Sequence, residues 1–157
     1  MHMKHKVNLS TFSVMISFII MLILLWILYY SKSEGLTLTI GVIIITWTFL
    51  VGLYMPLSIS TEEDALVVKR TFKEKRIPYV NIQDIRPCPP TMAERRLLGS
   101  GGFFGYWGWF HEKDLGKYFA YYGKASDCFL VILKDGSQYM LGCEDPSRVV
   151  ELIKSRI

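Results

Sequence analysis

Residues 128–157 read CFLVILKDGSQYMLGCEDPSRVVELIKSRI, two short apolar segments, a turn and an amphipathic end. Cys128–Leu133 and Gln138–Cys143 have strand length and flank Lys134-Asp135-Gly136-Ser137. The Asp-Gly pair predicts a type I′ hairpin turn, with positive φ at both central residues. Pro146 suits the first position of a helix, and the Asp145 side chain is expected to cap its free N–H groups. Val149, Val150, Leu152, Ile153 and Ile157 recur at helical spacing, with Arg148, Lys154 and Arg156 expected to meet water. A hairpin followed by such a helix predicts a sheet closed by a helix.

Working upstream, the same alternation continues back to Leu57. Leu57–Ser60, Ala65–Phe72, Arg76–Tyr79, Asp84–Cys88 and Leu115–Gly123 read as strands, with turns at Glu62–Asp64 and Lys73–Lys75. Pro78 marks a strand end or sheet edge, and Val80–Gln83 reads as one helical turn. The total is about seven antiparallel strands and a C-terminal helix, the outline of a pleckstrin-homology (PH) barrel. Between the fourth and fifth strands lies RRLLGSGGFFGYWGWF, Arg95–Phe110. It is expected to be a long cross-over connection that turns on glycine and anchors on aromatic rings.

Particular residues sharpen the outline. Ile77-Pro78-Tyr79 with Ile82 and Asp84-Ile85, the Gly99–Tyr106 stretch with Gly108, Leu115-Gly116 before a tyrosine-rich strand, and the Asp145-Pro146 helix resemble the bacterial PH-domain family, in particular its membrane-anchored members. The resemblance covers roughly residues 55–157. It implies a PH-like fold and a bacterial setting, while one fold hosts many functions.

The N-terminal third has a different character. No charged residue occurs from Val7 to Ser31, or from Gly35 to Thr61. Each run exceeds the roughly 20 apolar residues that cross about 30 Å of hydrocarbon. A cleaved signal peptide has a shorter apolar core and a small-residue cleavage site, whereas the first run ends in Trp26-Ile27-Leu28-Tyr29-Tyr30. Two spans are expected, about 9–30 and 36–54, joined by a tight turn through Ser31–Glu34 and flanked by Tyr29, Tyr30 and Tyr54 at the interfaces. Lys4 and Lys6 before the first span, and the basic residues after the second, place both termini in the cytoplasm. The expected organisation is thus a tail and two-span hairpin over 1–56 and a cytoplasmic PH-like domain over 57–157, in a bacterial inner membrane. Neither span carries an ionisable residue, which argues for an anchor and against an ion pathway.

Several chemistries fit poorly. The glycines of Arg95–Phe110 fail the G-x-G-x-x-G fingerprint at Phe104, and no helix is expected to follow. His111, Glu112 and Asp114 lie together without a nucleophile motif, so no enzyme is expected. Cys88, Cys128 and Cys143 form no C-x-x-C pair, and no metal, cofactor or nucleic-acid partner is expected. In a reducing cytoplasm these cysteines are expected to be small buried residues.

Two surfaces remain. The aromatic stretch supplies candidate partner-binding residues Phe103, Phe104, Tyr106, Trp107, Trp109 and Phe110, since Trp and Tyr anchor protein contacts. The basic hairpin supplies candidate anionic-lipid contacts Lys69, Arg70, Lys73, Lys75 and Arg76, each worth about 1 kcal/mol near an acidic leaflet. The expected function is a non-catalytic, membrane-tethered module that recruits a protein or peptide, or a second copy of itself, through the aromatic stretch or an open sheet edge. Lipid binding through the basic hairpin, or an accessory role in a membrane complex, is the alternative.

Overall fold

A computed structural model describes residues 3–30, 35–91 and 94–157. Strand β1 (Met3–Lys6) leads into helices α1 (Thr11–Tyr30) and α2 (Gly35–Leu53). The expected turn through Ser31–Glu34 lies outside the described residues. Strands β2 (Pro56–Thr61), β3 (Ala65–Arg70) and β4 (Glu74–Pro78) follow, and a 3-10 turn at Tyr79–Asn81 leads into β5 (Ile82–Pro87). The remaining elements are β6 (Arg95–Gly102), β7 (Gly105–Glu112), β8 (Gly116–Tyr122), β9 (Cys128–Leu133), β10 (Gln138–Gly142) and α3 (Pro146–Lys154).

The strands form two open sheets, ordered β1-β2-β3-β4 and β5-β9-β10-β8-β7-β6. This corrects the expected barrel of about seven antiparallel strands in three respects. The tail contributes β1, hydrogen-bonded antiparallel to β2 with Met3 opposite Thr61 and Lys6 opposite Ser58. Its four residues, MKHK, carry no apolar alternation by which to recognise them. The glycine-aromatic stretch is no cross-over loop but a pair of eight-residue strands, β6 and β7. Finally β10 runs parallel to β8, because it returns from β9 into the space between β9 and β8.

The main core lies between the sheets and under α3. Ile59, Leu66 and Val68 meet Phe129, Val131 and Leu141, and Val149, Val150 and Ile153 of α3 close it. A second cluster, including Phe110, Tyr118, Tyr122, Leu130 and Met140, occupies the opposite face of the six-stranded sheet. Burial on both faces explains why β9 reads as an unbroken CFLVIL run.

Local chemistry departs from expectation at both ends of this core. The Gly136 N–H donates to Leu133 O at 3.0 Å and only Gly136 of the Asp-Gly pair has positive φ, so the hairpin is a type I turn with a glycine bulge. The Asp135 carboxylate accepts the Ser137 N–H at 2.8 Å instead. Asp145 stands at the helix N-cap in the left-handed region and its side chain caps nothing. Arg156 turns inward, donating to Glu62 O at 2.6 Å and covering the Tyr79 ring, while Ile157 is exposed.

The helices join the sheets through short, hydrogen-bonded junctions. Val7 N–H donates to Leu57 O, Ser10 N–H to Gly123 O, and Glu144 N–H to Lys6 O. At the other junction the Thr71 hydroxyl donates to Gly52 O at 3.2 Å. Among the described residues one helix, Thr11–Tyr30, is long and apolar enough to cross a membrane, and Leu38–Leu53 forms a shorter apolar stretch.

Candidate functional site

The aromatic hairpin is built on glycine. Gly99 and Gly108 face one another across β6 and β7, each with φ above +120°. A Cβ at Gly108 would stand 2.1 Å from Leu98 O, so the strands approach more closely than any other residue allows. Strand alternation sends the rings of β7 to its two faces. Tyr106 stacks on Tyr122 and Phe110 on Tyr118 over the second cluster. Trp107 stacks on Tyr54, and Trp109 meets the Phe119 ring edge-on with Lys117 above it, on the side of the main core.

The hairpin tip, Phe103-Phe104, reaches the helices. Phe104 has φ 53° and donates its N–H to Ser17 Oγ of α1 at 3.0 Å. Its ring comes within 3.9 Å of the Cβ position of Gly52 in α2. Phe104 is therefore a wedge between the two helices, held at its backbone by one and at its ring by the other. All six candidate partner-binding aromatics pack against other parts of the chain, Phe110 fully and the rest in part. Sequence reasoning missed Ser17, whose only signal is a small polar residue inside an apolar helix.

The basic hairpin is divided among internal partners. Lys69 pairs with Glu74 at 3.6 Å, and Arg76 pairs with Glu62 at 2.9 Å and Asp64 at 3.1 Å. Lys75 lies over the Tyr139 ring. Arg70 donates to Lys73 O and to Tyr121 OH and covers the Tyr54 and Tyr121 rings. Of the five, only Lys73 has no side-chain partner among the described residues, and it sits beside Phe72, which is 80% exposed.

A polar network fastens the outer face of the six-stranded sheet. The Glu94 carboxylate accepts Tyr118 OH at 2.7 Å and Tyr122 OH at 3.0 Å. Burial, reinforced by that carboxylate, pushes both phenols far above the ordinary tyrosine range. Buried Glu112 accepts the N–H and hydroxyl of Thr91. Its neighbours in the weighed catalytic trio, His111 and Asp114, are exposed, and strand alternation sends His111 to the opposite face. Cys128 and Cys143 are buried and Cys88 is half-buried. Burial pushes the Cys143 thiol up to about 12 and Cys128 higher still.

A family model described as Bacterial PH domain matches residues 57–157. The chain belongs to the bacterial PH domain family. No curated protein and no solved structure matched the chain. Membership fits a non-catalytic interaction module. Within this PH domain, the six-stranded sheet has β5 and β6 as its edge strands among the described residues, and on β6 Leu97 and Leu98 are 51% and 71% exposed beside exposed Arg95 and Arg96. A bulge between Arg96 and Leu98 interrupts the pairing there. These four residues lay in plain view as RRLL, but reading the stretch as a loop concealed the edge.

Proposed function

We propose that this PH domain is tethered to a bacterial inner membrane by a two-span helical hairpin, about 9–30 and 36–54, and recruits an extended protein segment at the cytoplasmic face. The hairpin rests on topology as well as hydropathy. Strand β1 precedes α1, β2 follows α2, and the two strands are antiparallel neighbours, so the chain leaves and returns on one side. If α1 crosses, α2 must cross back. Apolar side chains such as Phe18, Trp26, Trp47 and Phe49 are all more than 60% exposed around the helices, as lipid contact requires. Lys4, Lys6 and the basic β3–β4 hairpin support a cytoplasmic location for that common side. In this reading residues 57–157, with β1 from the tail, form the cytoplasmic unit.

The observation that carries recruitment is the β6 edge. An edge strand offers backbone groups to an incoming strand, and the exposed leucines offer it apolar contact. Arg95 and Arg96, both exposed, favour a segment with acidic residues. The aromatic candidates Phe103–Phe110 enter as the support that holds this edge beside the membrane.

Incorporating a photo-crosslinker at Leu98 of the full chain in native membranes tests the reading. Discrete adducts are expected, and they should disappear in a variant carrying Leu97→Glu. Adducts no different from those at Val80, an exposed residue outside the edge, would remove β6 from the proposal.

A further inference from the structure

Between α1 and α2 runs an apolar groove of about 460 Å³ that the recruitment reading leaves unused. Its walls are Leu24, Leu25 and Leu28 on one helix and Ile45, Phe49 and Leu53 on the other. Thr48 and Thr71 also line it, but both hydroxyls are occupied, donating to Ile44 O and Gly52 O. Nothing in the wall asks for a polar ligand.

The width of the groove selects its occupant. At one end the helices touch, for a Cβ at Gly41 would lie 2.8 Å from Leu28. At the other end one residue, Phe104, spans them from Ser17 to Gly52. A slot that opens from contact to the width of a phenylalanine cannot admit a third helix about 10–12 Å across. It can admit an extended hydrocarbon chain. Phe104 and Thr71 lie at the sheet end of the slot, and Thr71 belongs to the β3–β4 turn that also carries unpartnered Lys73 and exposed Phe72.

We infer that the groove holds one acyl chain of an anionic phospholipid whose phosphate meets Lys73. This rests on the two-span reading, because the slot faces lipid only if both helices lie in the bilayer. It also narrows the basic hairpin to one lysine, the other four cations being engaged within the chain.

The test uses the full chain reconstituted in vesicles of phosphatidylcholine containing a minor fraction of phosphatidylglycerol with a photoreactive acyl chain. Labelling is expected to concentrate on Leu24, Leu28 and Leu53, the half-buried residues of the groove, rather than spread to outward residues such as Phe18 and Trp47. It should exceed labelling by the matching phosphatidylcholine probe at least fivefold. Leu25→Trp, which fills the slot, should reduce it at least tenfold, whereas Ile43→Trp on the outer surface should leave it unchanged. Lys73→Glu should abolish the preference for phosphatidylglycerol. Uniform labelling around both helices, or equal labelling by the two probes, would overturn the inference. Extraction with alkaline carbonate separates the two failures: a protein that remains in the vesicles with uniform labelling refutes only the groove, whereas one that is released refutes the hairpin.

Discussion

The close approach of Gly99 and Gly108 makes Gly108→Ala the sharpest probe of the aromatic hairpin. Two costs are expected at that position. The first is conformational, because φ is +121°, a region that costs an alanine roughly 1–3 kcal/mol. The second is steric. The new Cβ would meet Leu98 O at 2.1 Å and the Gly99 Cα at 2.7 Å, both backbone atoms that move only if β6 moves. Forcing atoms into a filled space costs a further ~1–3 kcal/mol. The sum, roughly 2–6 kcal/mol, is a large share of the 5–15 kcal/mol by which a domain is usually stable. Gly116→Ala supplies the control: φ there is +75° with nothing within 4 Å of the Cβ position, so only a conformational cost of about 1–2 kcal/mol remains. Pulse proteolysis of the full chain in mild detergent across a urea series reads both. Gly108→Ala should shift the midpoint markedly further than Gly116→Ala, and the Gly99→Ala, Gly108→Ala pair should cost less than the sum of the two, since either alone already parts the strands. Equal shifts for Gly108→Ala and Gly116→Ala would show that β6 and β7 do not meet as described.

Two further outcomes follow from the polar and thiol groups. Cys143 titrates at about 12 in the folded chain, Cys128 is also raised, and an unfolded thiol titrates near 8.5. Because the folded values are raised, the unfolded chain loses protons first and stability falls with rising pH, by roughly 2 kcal/mol per thiol at pH 10. The raised tyrosines add to this loss above about pH 10. A urea midpoint that is flat from pH 8 to 10, or an unchanged slope in a Cys128→Ala, Cys143→Ala variant, would contradict these environments. Glu94→Gln exchanges a charged acceptor of two phenols for a neutral one and should cost about 1–2 kcal/mol. A double-mutant cycle with Tyr118→Phe should return a coupling above about 0.5 kcal/mol, and zero coupling would break the network.

The legible part of this fold was the part where short apolar segments stand between turn residues. Cys128–Leu133 is a strand with the same ends in sequence and structure, and Ala65, Pro78 and Pro146 each mark a boundary that the chain observes. The aromatic hairpin escaped because its strand signal lies in a pairing of glycines, residues that count against a strand when read singly. Strand β1 escaped because its order comes from β2, more than fifty residues away. The same limit applied to the candidate sites. The basic cluster was visible as composition, but only tertiary contacts show that Lys69, Lys75 and Arg76 already have partners. Asp145 illustrates it at one residue: the side chain suits a cap, but the left-handed backbone turns it away.

These internal engagements bear on where a partner can bind. Four ring contacts, Tyr54 with Trp107, Tyr106 with Tyr122, Trp109 with Phe119 and Phe110 with Tyr118, hold the aromatic hairpin. Each is worth about 0.5–1.5 kcal/mol beyond the area it buries. Presenting those rings to a partner would forfeit roughly 2–6 kcal/mol before any gain, against about 8 kcal/mol for a whole micromolar complex. Leu97, Leu98 and Phe72 are already exposed and need no such rearrangement. A recruited segment should therefore meet the β6 edge, and the neighbouring rings should act by fixing that edge to α1 through Phe104 and Ser17. On this argument the helix pair is packed onto the PH domain and not loosely strung from it, since β1 pairs with β2, Tyr54 at the end of α2 stacks on Trp107 of β7, and Phe104 in the β6–β7 turn donates to Ser17 of α1.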